Sequence, residues 1–134
     1  MGELKNYISI NGGVQLDLMG KENAETAGTR QLSGTGGQLD FLEGAFRSEG
    51  GKGFICIASA RKTKEGELKS NIVPFIPAGC TTSAPRAMIE NVATEYGVAH
   101  LTGKTVRERA EAMISVAHPD FRDELYRYAE KNFK

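Results

Sequence analysis

At 134 residues, with 40% hydrophobic and 25% charged side chains, the chain has the size of one domain and is too apolar to be wholly disordered. Lys plus Arg matches Asp plus Glu at 17 each, so the basic surplus of a nucleic-acid binder is missing. Its 16 glycines exceed the usual share of about 7%, which calls for tight turns or close backbone approaches.

Residues 7–10 and 14–19 read as two short β runs around Asn11-Gly12-Gly13, joined as a hairpin or a bulge. In the second run Val14, Leu16 and Leu18 alternate with polar or flexible neighbours, the period of a half-buried strand. Residues 20–37 are polar and glycine-studded without periodicity, a long loop of the kind that often carries function. Thr35 and Gln38 have the spacing of a capping box, and Leu39, Leu42 and Phe46 follow at helical spacing. The spacing predicts a helix over 37–47, closed by Gly50-Gly51.

The apolar run at 54–59 suits a buried strand, and the charged stretch 61–69 suits an exposed turn. Residues 71–76 read as a strand that Pro74 confines to an edge or a bulge. One or two helical turns are expected at 87–91, then a β run over 92–101 broken at Gly97. Thr105 and Glu108 form a second capping box, and Ala110, Met113, Ile114 and Ala117 line one helical face. Pro119 stops that helix and fits the first turn of a last one, striped by Phe121, Leu125 and Tyr128. The whole reads as an α/β fold, a layered mixed β-sheet with flanking helices, the opening hairpin supplying its antiparallel part.

No apolar run approaches the ~18 to 20 residues that cross a bilayer, and the N-terminus lacks the layout of a secretory signal. Cys56 and Cys80 carry neither zinc spacing nor a disulfide framework, so a cytoplasmic chain with reduced thiols and no metal is expected. His100 and His118 stand apart, without partners at metal-ligand spacing, and read as structural.

The segment Ser33, Gly34, Thr35, Gly36, Gly37 and Gln38 opens onto a helix N-terminus. Its glycines allow close backbone approach, and the helix end offers N–H groups with about half a unit of positive charge. A phosphate, a carboxylate or a developing oxyanion fits such a place, and so does a plain structural turn. It is neither a Walker A loop nor a full dinucleotide fingerprint, because Leu39 stands where the third glycine would be. Glu95, before Tyr96-Gly97, is either a nucleophile or base candidate or a strand-end carboxylate paired with Arg86, Arg107 or Arg109. Arg107 and Arg109 could hold a phosphate, but on an amphipathic helix they are expected to face water.

SGTGGQLDF (33–41), NIVPFIPAG (71–79), TEYGVAHLTGKTVRERA (94–110) and AHPDFRDEL (117–125) follow one another in the order found in a known family. With INGGVQLDLMGKENAETAG (10–28), they resemble the C-terminal domain of the acetyl-CoA hydrolase/transferase family, which includes 4-hydroxybutyrate and butyrate–acetate CoA-transferases. The resemblance implies a CoA-transferase-like fold (NagB/RpiA/CoA transferase-like), here as an incomplete domain: the distal part of the second of two. It implies transfer of CoA between an acyl-CoA and a small carboxylate through a glutamyl-CoA thioester, with hydrolysis of acetyl-CoA as the alternative. Coenzyme A would be a substrate, no cofactor would be tightly bound, and the Ser33–Gln38 loop would lie beside the thioester. The implied partners are an N-terminal domain of the same enzyme and further copies in a homo-oligomer. A non-catalytic CoA-binding or dimerisation module is the other class of reading.

The chain departs from the family's pattern in lacking its His-Ser/Thr-Glu motif, so the nucleophilic glutamate is expected outside these residues and the isolated chain is expected to be inactive. Ala58-Ser59-Ala60 replaces a stretch that is often Pro-Ser-Thr there, and Pro85 is inserted before Arg86.

Overall fold

The computed structural model describes residues 1–134. In chain order the strands are β1 (Ile8–Gly12), β2 (Gln15–Asp17), β3 (Glu22–Asn23), β4 (Thr26–Ala27) and β5 (Arg30–Gln31), followed by helix α1 (Gln38–Arg47). Then come β6 (Lys52–Cys56), β7 (Ala60–Lys62), β8 (Leu68–Ser70), β9 (Ile72–Val73) and a 3₁₀ turn at Arg86–Met88. A hairpin of β10 (Asn91–Thr94) and β11 (Gly97–His100) leads into α2 (Val106–Ser115) and α3 (Pro119–Asn132).

The central sheet is ordered β1-β6-β10-β11, with β1, β6 and β10 parallel and β11 antiparallel to β10. It is the expected mixed sheet, but its antiparallel member comes last. Residues 7–19 do not form a hairpin: β1 pairs with β6, while β2 joins a smaller sheet ordered β3-β2-β9. The break between them falls at Gly13, where a Cβ would sit 2.7 Å from the Glu22 carboxyl and 3.3 Å from Ile57. Without that Cβ the chain bends past the buried acid and changes sheet.

Register sets the faces of the central sheet. Ile8 and Ile10 align with Lys52 and Phe54, and Ala93 aligns with Cys56 and Val98. Alternation turns Ser9, Gly53, Ile55, Val92 and Ala99 to the other side, and all five are buried. There α1 packs on β1 and β6, and α2 on β11. A Cβ on Gly53 would meet the Leu42 side chain at 3.2 Å, which locates α1 directly over the sheet.

The second capping box forms as expected: Glu108 N donates to Thr105 Oγ1, and Thr105 N donates to Glu108 Oε2 at 2.8 Å. Ala110, Met113, Ile114 and Ala117 are all fully buried. Pro119 takes the first position of α3, His118 Nδ1 accepts from Asp120 N, and Phe121, Leu125 and Tyr128 pack on the core.

Other expectations need correction. Residues 20–37 contain two-residue strands held by Asn23, whose Oδ1 accepts from the N–H groups of Glu25 and Thr26. Ladders that short have no period to detect. Residues 60–70 form the β7–β8 hairpin rather than a bare turn, and β9 ends one residue before Pro74. The turns expected at 87–91 shift to Arg86–Met88, with Asn91 opening a strand. On α1, Leu42 and Ala45 are buried over Gly53 of the sheet, while Leu39 and Phe46 are exposed. Arg109 does not face water. It is buried and donates to the carbonyls of Met19, Leu101 and Arg86 at 2.8, 3.0 and 2.7 Å, joining three loops.

Candidate active-site edge

The glycine loop is exposed from Ser33 to Gly36, and Gly37 and Gln38 are half-buried. Gly36 has φ +55, which a residue with a Cβ adopts only with strain. At Gly34 the backbone is ordinary, and an added Cβ would meet nothing within 4 Å. Turn geometry therefore explains Gly36, but packing inside this chain does not require Gly34.

The expected Thr35–Gln38 capping box does not form. The N-cap of α1 is Gly37, and no side chain accepts from the first-turn N–H groups. Gln38 is drawn elsewhere: its Nε2 donates to Glu22 Oε1 at 2.7 Å. The upstream end of the loop is tied down by its backbone, since Leu32 N and Ser33 N both donate to the Glu25 carbonyl. The result is a helix N-terminus left uncapped by the chain itself, anchored at both ends and open on its outer side. Such an end favours an anion.

Glu95 occupies the β10–β11 turn and pairs with none of the expected arginines. Ser59 N donates to Oε1 at 3.2 Å and to Oε2 at 2.9 Å, and the Ser59 hydroxyl donates to Oε1. The hydroxyl bond is the main reason the carboxyl lies below its ordinary range; the backbone bond and the nearby His118 act in the same direction, against some desolvation. Glu95 is thus an ionised carboxylate clamped by the segment after β6.

Topology brings these groups to one edge. β1, β6 and β10 end at Gly12, Cys56 and Thr94. Gly13 directly after β1 touches Glu22, which holds Gln38 and the glycine loop; Ser59 just after β6 holds Glu95 just after β10. The carboxyl ends of parallel strands are where open α/β sheets bind their ligands. Neither the loop nor Glu95 lines any of the four surface depressions, of about 230 to 350 Å³. This edge is a wall rather than a pocket.

The remaining candidates take structural roles. His100 Nδ1 bonds Asn91 Oδ1 at 2.9 Å, His118 caps α3, and Arg107 pairs with Glu111 at 3.2 Å. No three His, Cys, Asp or Glu side chains gather where a metal ion could be held, and no helix is long and apolar enough to cross a membrane. Sequence reading missed Glu22 and Ser59. Ser59 sits within the apolar 54–59 run, so its polarity was a usable signal; Glu22 sits in an unpatterned polar loop and gave none.

The profile of the acetyl-CoA hydrolase/transferase C-terminal domain matches residues 1–129. The chain is 46% identical over 131 residues to the butyryl-CoA:acetate CoA-transferase of Anaerostipes caccae, covering 98% of this chain and 29% of that protein. It is 47% identical over 128 residues to the 4-hydroxybutyrate coenzyme A transferase of Clostridium kluyveri, covering 96% and 29%. The crystal structure of RipA from Yersinia pestis superposes with a TM-score of 0.78 at 40% identity, over 96% of this chain and 27% of that one. The chain therefore spans under a third of the length of these relatives and belongs, with a fold and a sequence that agree, to the acetyl-CoA hydrolase/transferase family.

Proposed function

We propose that this chain forms the glycine-loop wall of an active site that moves coenzyme A between an acyl-CoA and a small carboxylate of the butyrate, 4-hydroxybutyrate or acetate type. The observation that carries this reading is the uncapped N-terminus of α1, opened by the Ser33–Gln38 loop at the carboxyl edge of the parallel strands. Attack on a thioester carbonyl makes an oxyanion, and N–H groups fixed before the reaction stabilise that charge by about 3 kcal/mol each. The relatives named for butyryl-CoA, acetate and 4-hydroxybutyrate support that substrate class.

The nucleophile belongs outside these residues. A glutamate there attacks the thioester, CoA thiolate leaves, and the thiolate returns to the resulting anhydride to give glutamyl-CoA and the free acid. We assign Glu95 a different role, since three bonds from Ser59 tie its carboxylate to the segment after β6. It holds the ends of β6 and β10 together beside the site. Coenzyme A acts as substrate with no tightly bound cofactor, in a cytoplasmic enzyme whose N-terminal domain supplies the facing wall. Hydrolysis of acetyl-CoA is the alternative outcome of the same chemistry, with water in place of the second acid.

The test is a chimera in which this chain replaces the matching segment of the Anaerostipes caccae transferase. Turnover of butyryl-CoA with acetate is expected, and Gly34→Val, at a position whose backbone and packing tolerate a side chain, should lower kcat at least 100-fold while moving the melting temperature only slightly. In crystals with CoA the loop should lie within about 4 Å of the ligand, near direct contact. A folded chimera whose Gly34→Val variant keeps full kcat, or a loop more than about 10 Å from bound CoA, far beyond hydrogen-bond reach, overturns the reading.

A further inference from the structure

Behind the glycine loop lies a carboxyl group for which the proposed chemistry has no use. Glu22 is fully buried; its Oε1 accepts from Gln38 Nε2, and its Oε2 has no partner. Gln38 ends the loop and begins α1, so this bond ties the loop to the core. Three residues on, Glu25 is also buried with one oxygen unpartnered. No cation answers either acid. Lys21 is bound to Asp17 at 3.3 Å, and Asp17 also accepts from the N–H groups of Met19 and Lys21. From the other elements packed against it, Glu22 meets only uncharged groups: Leu16 of β2, Gln38 of α1, Gly13, Ile57 and the backbone of Ser83 and Ala84. Asp40, in the first turn of α1, is exposed.

We propose that Glu22 is a positioning residue for the glycine loop: as a neutral acid it holds Gln38 and the start of α1 in place, and its ionisation releases them. A buried carboxylate needs several donors, and here one amide is the whole supply. Burial raises the carboxyl to about 7, the Gln38 bond opposes the rise, and the charge of Glu25 adds to it. Below that pH the neutral form rests on Gln38. The Gln38 bond by itself favours the carboxylate but offsets only part of the burial, so as pH rises toward 7 the charged form gains increasingly from reaching water, which requires the loop or the segment carrying Glu22 and Glu25 to open. The device concerns the loop's order alone and stands whether or not the loop binds CoA.

The experiment uses the whole chain without substrate. Amide exchange, corrected for its intrinsic pH dependence, is followed by NMR from pH 5.5 to 8.5, together with the side-chain ¹³C shift of Glu22. The bonded amides that flank the loop, Leu32, Ser33 and Phe41, are expected to lose protection at least tenfold as pH rises from 5.5 to about 7 and to level off above it, while the Glu22 carboxyl titrates near 7. Glu22→Gln, which keeps an acceptor for Gln38, should hold protection flat over the range. Gln38→Ala should leave these amides poorly protected at every pH and, by admitting water to the carboxyl, move the Glu22 midpoint down toward its ordinary value. A Glu22 carboxyl that titrates near its ordinary value, or equal exchange profiles in Glu22→Gln and the parent chain, overturns the proposal. If Glu22→Gln does not fold, the ¹³C titration of the parent decides alone.

Discussion

On one face of the central sheet Ile55, Val92 and Ala99 are sealed beneath α1 and α2, whereas on the other Ile8, Ile10 and Val98 stand 55, 68 and 58% exposed. The strands themselves scarcely distinguish the two sides. β6 and its continuation run Phe54, Ile55, Cys56, Ile57 without polar alternation, the pattern of a strand meant for cover on both faces. One cover lies within this chain. The other face reads as an interface, in keeping with relatives that extend well beyond the matched segment.

The largest contrast between the faces should appear in stability. Ile55→Ala removes packing from a site with no solvent contact and should cost about 2–5 kcal/mol in urea unfolding. Ile10→Ala, on the adjacent strand but the open face, should cost less than about 0.5 kcal/mol. Equal losses at the two positions would mean that the open face is already covered in solution.

Glu22 sharpens the same comparison with a charge. Its folded-state value, about 7, lies above the 4.5 of an unperturbed carboxyl, so the folded state holds the proton more tightly. The resulting stability is fully present below 4.5, is lost as pH rises from 4.5 to about 7, and is absent above. Glu22→Gln should therefore be nearly neutral at pH 4 and stabilising by up to about 3 kcal/mol at pH 8. A variant that is less stable than the parent at pH 8 would contradict the neutral, buried acid.

The helices that close the covered face differ in how they begin, and the difference is measurable. Thr105→Ala removes a formed capping box and should cost about 1 kcal/mol. Thr35→Ala has the same sequence logic, yet it removes no cap in the folded chain and should change stability by less than about 0.3 kcal/mol. Similar losses in thermal unfolding of the two variants would show that Thr35 caps α1 after all.

These two threonines also mark how far the fold was legible. At Thr105 the spacing, the apolar stripe of α2 and the Pro119 stop all agree, so local chemistry was enough. At Thr35 a neighbour 16 residues upstream in the chain takes the Gln38 side chain, and no local pattern announces a long-range competitor. The false hairpin at 7–19 has the same cause: both runs were read as strands, but pairing was decided by β6 and β9. The glycine loop was legible as a site because its composition is odd. Its anchor at Glu22 was not, since a lone acid among polar residues looks solvated. Glu95 was visible as a singular carboxylate and Ser59 as the polar residue of an apolar run, but no local pattern paired the two.

The smallest expected change in stability accompanies a large one in association. β1 is an edge strand whose outer backbone pairs with nothing in the chain, and its outward side chains are Ile8 and Ile10. Edges of this kind template pairing with another copy, and burying each half-exposed isoleucine would favour contact by about 1–2 kcal/mol. In a twofold dimer every such contact counts twice, because each copy presents the same patch. The chain should therefore self-associate at several hundred micromolar in sedimentation velocity, with weak salt dependence. Lysine at both positions (Ile8→Lys, Ile10→Lys) places charge where the partner's apolar face would sit, while the side chains remain in water in the monomer. The double variant should sediment as a monomer with its unfolding free energy within about 0.5 kcal/mol of the parent. A parent chain that stays strictly monomeric at the highest concentration sinks the self-association idea. A double variant that unfolds several kcal/mol more easily would show instead that Ile8 and Ile10 are packed inside the monomer, and the two faces would no longer differ.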